Sequence, residues 1–440
     1  MEDGLFSKIR NGIKDMCYIW AKEMRSTITD EGVLIFFILV PLLYPLLYSW
    51  IYNNEVVRDV PVAIVDQSHS QISREFIRSF DAGSDVKAAY YCNSIEEAKD
   101  LIGKQVVHGL LYFPDDFAHK LYRGEQAHVG VYCDMSLMLT YKAIYQTALG
   151  VASDINANIQ VSQSRNFTTR DEEITTKPLD FEEVPIFNAT GGYGNAILPG
   201  VLILILQQTL LLGIGLSAGT ARENNRYQEL IPISKHYVGI FRIVLGKSMC
   251  YFMIYAVMAA YLTLCVPRFF HFTALASATD LIGLMIPFLL AVIFFGMALS
   301  CIVRYRENVM LLVVFTSIPL LFMTGISWPQ PNMPGIWQSI AQIFPSTFGV
   351  RGFLRISSMG GTLDDIEPEF IALWLQAVIY FFITCAVYRY QINRTRRQAY
   401  DRMAMLKAKA ATAKENRMLK AAKKTTPTAT EGKEMSPTDE

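Results

Sequence analysis

Four aspartates stand where a carboxylate set could do acid–base or metal chemistry: Asp66, Asp115, Asp116 and Asp134. Each ends a β-like run, a position where aspartate ordinarily turns the chain or caps a helix. His69 and Ser70 lie close by, but no aspartate is spaced to complete a triad with them. Gly246-Lys247-Ser248 mimics the end of a phosphate-binding loop. The leading glycine of that loop would fall at position 241, which is Phe241, and the triplet opens an apolar run instead of following a strand. No nucleotide-binding motif is left, so no cofactor is expected on this chain. The six histidines contain no HExxH and the seven cysteines no CxxC, so no metal site is expected. Zero net charge removes the electrostatic case for nucleic acid.

The dominant signal is the bilayer. Of 440 residues, 52% are hydrophobic and 18% charged, which suits a membrane protein carrying a soluble domain. Crossing a bilayer takes about 20 apolar residues at about 1.5 Å rise each. Six runs qualify: Val33 to Tyr52, Ala196 to Ala218, about Ser248 to Val266, Leu281 to Val303, Val309 to Ser327 and about Phe370 to Tyr388. Pro41 and Pro45 predict a kink in the first run, and Trp50 and Tyr52 close it with interfacial aromatics. Its length and the charged segment ahead of it mark a retained helix, not a cleaved signal. That segment, Leu5 to Asp30, repeats apolar residues every three or four positions with Lys8, Arg10, Lys14 and Lys22 between them. It is an amphipathic helix whose basic face suits the inner leaflet; the alternative is an ordinary packed helix.

Between the first two spans, four β-like runs alternate with helix-like ones: Val60–Asp66, Val86–Cys92, Val107–Phe113 and Val129–Asp134. Helices are expected from Ser70, Ser94 and Asp115, each behind a capping residue, and a long one from about Leu137 to Ser162. The alternation predicts a small α/β or α+β layer fold. Cys92 and Cys133 are the two cysteines of this region, and both end β-like runs. On one sheet edge in an oxidising compartment they would pair, and the loop of about 40 residues would stabilise by roughly 3–4 kcal/mol. Otherwise they are separate thiols, because pairing needs Cα atoms within about 7 Å. Strand order decides between the two. Asn166-Phe167-Thr168 and Asn188-Ala189-Thr190 are glycosylation sequons, relevant only in a eukaryotic secretory route.

Six spans put both termini on one side. Short connectors on that side carry Arg222, Arg226, Lys235, Arg242, Lys247, Arg304 and Arg306; those opposite carry Arg268, Arg351 and Arg355. The positive-inside rule places both termini in the cytosol and the α/β segment outside. After the sixth span, a Lys/Arg/Ala/Met-rich tail to about Lys424 forms either a helix on the anionic leaflet or a solvated one. Thr425 to Glu440 is expected to be disordered.

The chain is organised around the stretch between the fifth and sixth spans. WPQPNMPG sets Pro329, Pro331, Pro334 and Gly335 where no helix can continue. A second apolar piece is interrupted at Pro345 and Gly349 and ended by Arg351 and Arg355. Non-helical backbone at membrane depth must be covered by protein or line a cavity, so a re-entrant or interfacial hairpin is predicted. The ordered set Gly325, Pro329, Pro334, Pro345, Thr347 and Arg351 resembles the membrane subunits of ATP-binding-cassette exporters of the ABC-2 class. VAIVDQSHSQISREFI, SIEEAKDLI and VGVYCDMS resemble the exoplasmic domain of a large-loop subfamily, and the resemblance extends to about Asn393.

That resemblance implies roles for residues. In the family, the segment corresponding to Thr220–Lys247 is a coupling helix docked on the ATPase subunit. Arg222, Glu223, Glu229, Leu230, Pro232, Gly246 and Lys247 match its pattern; Arg226-Tyr227 stands where the family has Gly-Thr. A short helix tied to two spans can transmit a rigid-body shift; the bland alternative is a charged turn. Gln207 and Gln208 lie mid-span and should face protein or water. They either line a route at a dimer interface or make an interhelical hydrogen bond.

The expected fold is a polytopic α-helical membrane protein, six transmembrane helices with an inserted α/β (α+β) exoplasmic domain between helices 1 and 2. Its parts are an interface helix (1–32), helix 1 (33–52), the exoplasmic domain (53–189), helices 2–6 (190–390) with connector 220–247 and re-entrant hairpin 328–356, and a tail (391–440). The resemblance implies a permease subunit of an efflux system in a bacterial inner membrane. A second copy, as homodimer or related heterodimer, a separate ATPase subunit carrying ATP and Mg, membrane lipids and a periplasmic adaptor would be its partners. A membrane-anchored sensor would need a cytosolic signalling segment, and an integral membrane enzyme would need intramembrane acidic or histidine clusters. Neither is visible in the sequence.

Overall fold

The computed structural model describes residues 5–53, 56–163, 168–176, 186–188, 191–223, 239–300 and 305–424. Among them, six helices are long and apolar enough to cross a membrane: Glu31–Ile51, Gly194–Arg222, Ile240–Phe269, Ala278–Ser300, Arg306–Met323 and Asp364–Arg394, here spans 1 to 6. The chain is a multi-pass membrane protein. Helix α1 (Leu5–Thr29) precedes span 1. Asp30 starts that span by accepting from the backbone N–H groups of Gly32 and Val33, the N-cap arrangement that satisfies orphan donors. The turn Ile35–Leu39 is π-helical. It lies just ahead of Pro41 and Pro45, whose missing N–H groups break the helical ladder. Span 3 opens at Ile240, well before Ser248. Arg242, Gly246 and Lys247 therefore belong to a membrane helix and not to a connector reaching position 247. The Gly246-Lys247-Ser248 triplet is helical, and the Ser248 hydroxyl donates to Leu245 O.

The chain divides into two compact units. One, Leu46–Pro199 with Val266–Leu275, contains a four-stranded sheet ordered β2-β1-β3-β4. Its strands are β1 (Val60–Asp66), β2 (Val86–Tyr91), β3 (Gly109–Phe113) and β4 (Gly130–Cys133). β1 runs parallel to both neighbours, and β4 pairs antiparallel with β3. Helices α2 (Gln71–Asp81), α3 (Ile95–Gly103), α4 (Phe117–Tyr122) and α5 (Met138–Gln163) follow the strands. Val60, Val62 and Ile64 of β1 pack with Phe76 and Phe80 of α2 and Ile144 of α5. Ala63 and Val65 point the other way, into a core with Ala98 of α3. This is the period-2 alternation of a strand buried on both faces. Ser70 and Ser73 cap α2 reciprocally, and Ser94 caps α3.

Strand order separates the two cysteines. Cys92 follows β2 and Cys133 ends β4, the outermost strands, with β1 and β3 between them. Their side chains also belong to opposite cores. At about 4.8 Å per strand the edges lie about 14 Å apart, twice the reach of a disulfide. Of the two alternatives the sequence left open, strand order gives separate thiols, and neither cysteine is in a disulfide among the described residues. Asp66 and Asp134 serve turns: Asp66 accepts from Ser68 N, His69 N and the Ser73 hydroxyl, and Asp134 from Ser136 N; Asp116, just before α4, makes no side-chain cap bond and pairs with Lys120 at 2.6 Å.

The other unit comprises Met1–Pro45, Gly200–Cys265 and Ala276–Glu440. Span 5 stops where Gly325 takes φ +91°, left-handed backbone that favours glycine. Pro329 then precedes a 3-10 turn, Gln330–Asn332. Pro334 precedes α6 (Gly335–Ala341), and Pro345 is the first residue of α7 (Pro345–Ser357), the helical position that tolerates a missing N–H. Gly349 does not interrupt this piece. It sits inside α7, where a Cβ would fall 2.4 Å from the Phe288 ring of span 4. Close helix packing, not a chain break, accounts for that glycine. The span 6 helix continues without a break from Glu367 to Lys424.

Candidate functional site

The connector after span 2 is anchored at both ends. Thr220 and Arg222 lie in the last turn of the span 2 helix, which ends at Glu223. Glu229, Leu230 and Pro232 lie outside the described residues.

One carboxylate ties the start of span 1 to the end of span 2 and the start of span 5. Oδ1 of Asp30 accepts from Gly32 N at 3.2 Å, from Val33 N at 3.4 Å and from Nη2 of Arg306 at 3.0 Å. Oδ2 accepts from the Thr220 hydroxyl at 2.7 Å. Two glycines leave room for the arginine: a Cβ on Gly32 would lie 2.7 Å from Nη2 of Arg306, and one on Gly219 would lie 2.9 Å from its Cγ. Burial works to raise the Asp30 carboxyl. The Thr220 hydroxyl, the Arg306 charge and the Val33 N–H outweigh it and hold the group below the usual aspartate range.

α1 is locked to span 3 by a second set of contacts. Nη1 of Arg242 lies 2.8 Å from Oδ2 of Asp15, and Nζ of Lys247 lies 3.0 Å from Oε2 of Glu23. The Tyr251 hydroxyl donates to Oε1 of Glu23 at 2.5 Å. Gly246 lets the helices touch, since a Cβ there would meet Ile19 at 2.9 Å and Met16 O at 3.1 Å. Burial pushes the Glu23 carboxyl up. The Lys247 charge, with hydrogen bonds from Tyr251, Lys247 and Ser217, brings it below the ordinary glutamate range. α1 is therefore a packed helix along this face. Sequence reasoning singled out its basic residues, placed Glu23 and Asp30 in a run that resembles the start of the family, and assigned none of the acidic residues a partner. Their signal was the spacing Asp15, Glu23, Asp30, which keeps three carboxylates on one side of a helical path.

Gln207 is fully buried and Gln208 is nine-tenths buried. Neither side-chain amide has a hydrogen-bond partner among the described residues, so the interhelical bond is not made there. Gln208 shares a helix face with Gly200, Leu204 and Gly215. That face meets Ile326 and Val350 at Gly200, Leu320 and Met323 at Leu204, and Val309 at Gly215. Span 2 thus presents its glutamine stripe toward span 5 and the hairpin.

In the hairpin, the Thr347 hydroxyl donates to Ala341 O at 2.6 Å and closes the turn between α6 and α7. Nε2 of Gln338 donates to Gln330 O and Met333 O, and Nε2 of Gln376 in span 6 donates to Gln342 O. Nη1 of Arg355 pairs with the buried Glu369 at 3.2 Å. Nη2 of Arg351 is buried and has no hydrogen-bond partner among the described residues. Gly325, Pro329, Pro334, Pro345, Thr347 and Arg351 fall together at one end of span 5, and Arg306 with the flank of the connector at the other. The two expected sites do not form one cluster. Among the described residues, no group of three His, Cys, Asp or Glu side chains is placed to hold a metal.

Comparison with known proteins bears directly on this arrangement. Residues 32–386 match the family model described as ABC-2 family transporter protein. The probable multidrug ABC transporter permease YbhR of Escherichia coli is 22% identical over 364 residues, covering 81% of this chain and 93% of the relative. The linearmycin resistance permease protein LnrN of Bacillus subtilis is 23% identical over 347 residues, covering 73% and 86%. The inner membrane transport permease YhhJ of Escherichia coli is 22% identical over 415 residues, covering 86% and 97%. A family match spanning most of the chain, on six apolar helices and a proline-punctuated hairpin, gives its class: the protein belongs to the ABC-2 family of transporter proteins.

Proposed function

We propose that this chain is the permease subunit of an exporter in a bacterial inner membrane, with both termini cytosolic. It binds a separate ATPase subunit, which carries ATP and Mg, through the connector that begins at Arg222 and Glu223 and includes Glu229, Leu230 and Pro232. Two copies pair, and ATP-driven closure of the ATPases shifts the connectors and opens a route between the membrane halves. Movement of span 5 and the hairpin uncovers Gln207 and Gln208, which then offer hydrogen bonds to the cargo. The hairpin, 328–356, forms the outer gate. The α/β segment lies outside, where it shields the exit or meets a periplasmic partner. The names of two relatives, a multidrug permease and a linearmycin resistance permease, suggest a drug-like organic molecule as cargo.

The observation that supports this reading best is the anchoring of the connector. Its first flank is pinned by Thr220 to Asp30, and its second by Arg242 and Lys247 to α1. A short segment held between rigid elements passes a push on to them. The test is capture from native membranes by an affinity tag on the full chain. An ATPase identified by mass spectrometry, with Mg-dependent hydrolysis, is expected. Glu223→Ala combined with Glu229→Ala should leave the permease in the membrane and abolish the hydrolysis it stimulates. A chain that reaches the membrane without an ATPase, or a double variant with unchanged hydrolysis, refutes the reading.

A further inference from the structure

Four donors converge on the Asp30 carboxylate: Gly32 N, Val33 N and Arg306 Nη2 on Oδ1, and the Thr220 hydroxyl on Oδ2. The donors come from three separate stretches of chain. Gly32 and Val33 open span 1, Thr220 sits in the last turn of span 2, and Arg306 is the first residue of span 5. Charge-assisted bonds of this kind are roughly twice as strong as neutral ones. Glycines at 32 and 219 permit the crossing of Arg306, so the junction is built by backbone as well as by side chains. Span 5 then runs from Arg306 to Met323 and ends at the Gly325 turn that starts the hairpin. A displacement at Thr220 therefore has a short bonded path to the start of span 5, and the helix of that span carries on to the Gly325 turn.

We propose that Asp30 is a positioning residue that holds the connector-side ends of spans 1, 2 and 5 as one body, so that movement of the connector is delivered to span 5 and its hairpin. The inference rests on the permease reading for the source of that movement, and on the geometry alone for the junction itself. A simple N-cap role would concern the first turn of span 1 and nothing else. A junction role couples three helix ends that are remote in sequence.

Asp30→Asn separates these roles. Asparagine keeps the shape and can still cap span 1 through its carbonyl oxygen. It loses the charge that holds Arg306 and has one acceptor oxygen where the carboxylate had two. Hydrogen exchange by mass spectrometry on the full chain in lipid nanodiscs reads the first part. Faster exchange is expected together at the starts of spans 1 and 5 and at the last turn of span 2. A change confined to span 1, or none, overturns the junction. Hydrolysis by the ATPase captured with the tagged chain reads the second part. Loss of one charge-assisted tie predicts a fall of roughly tenfold, with the amount of captured ATPase unchanged. A loosened junction with full hydrolysis overturns the delivery of movement. If no ATPase is captured, the permease reading fails, and the exchange pattern still decides the junction. Thr220→Val removes one donor at nearly constant volume and serves if Asp30→Asn does not fold. Wild-type exchange and hydrolysis in that variant would likewise overturn the proposal.

Discussion

Glu23→Gln tests whether α1 is fastened to span 3 by a buried ion pair or merely rests on it. The side chains of Lys247 and Glu23 are only 14% and 13% exposed. An exposed pair is worth about 0–1 kcal/mol, whereas removing one member of a buried pair costs about 3–5 kcal/mol because the other charge is left uncompensated. Glutamine keeps an acceptor for the Tyr251 hydroxyl, so the lower end, about 3 kcal/mol, is expected. At roughly 2 °C per kcal/mol for a large chain, the apparent Tm of the purified protein should fall by about 6 °C. Glu23→Gln with Lys247→Met should recover much of the loss, giving a coupling energy of about 2 kcal/mol in the double-mutant cycle. The pH dependence has a definite sign. The folded Glu23 carboxyl is held below its ordinary value, so its stabilisation is fully present above the unfolded value, about 4.3. That contribution is lost as pH falls through the folded value, and the Tm gap between wild type and Glu23→Gln should close in acid and stay constant from about pH 5 to 8. A single-variant cost under about 1 kcal/mol, or additivity in the cycle, would refute the fastening.

Cys92 and Cys133 should alkylate fully in denaturant without reductant, and a cross-linked peptide would contradict the sheet order. In the folded protein both should react slowly, because burial raises Cys92 and pushes Cys133 up to about 11. Gly349→Ala places a Cβ against Phe288 and should cost about 2 kcal/mol in thermal unfolding. Adding Phe288→Ala should offset part of that cost, and strict additivity would mean that ring contact is not the reason for glycine. A cysteine at the exposed Ser339 should react with an impermeant thiol reagent from outside the cell; labelling only from the cytosolic face would reverse the proposed orientation.

Much of the local structure was legible in the chain. Apolar runs near 20 residues have few alternatives to crossing a bilayer, because buried backbone must be satisfied internally. The breaks after span 5 were equally plain: Gly325 adopts a φ that side chains resist, and Pro334 and Pro345 stand at helix starts that need no N–H. Ser70 and Ser94 announced their helices, since a hydroxyl placed before an amphipathic run satisfies the N–H groups it exposes. The family resemblance likewise came from spacing along the sequence and holds over residues 32–386.

Tertiary structure decided whatever depends on which elements meet. Cys92 and Cys133 look alike in sequence, each ending a β-like run. Only the β2-β1-β3-β4 order puts them on opposite edges, and pairing of strands is a long-range choice that local propensity does not encode. Span 3 starts at Ile240, after Gly239 at φ +112°, and Asp15 and Glu23 of α1 pair with Arg242 and Lys247 inside it; read alone, those cations mark a connector. Gly349 reads as a helix breaker until the Phe288 ring occupies the space of its missing Cβ. Asp30 carries the local mark of a cap and nothing more. Its bonds to Thr220 and Arg306 span 190 and 276 residues of chain, and such contacts exist only once the helices have packed.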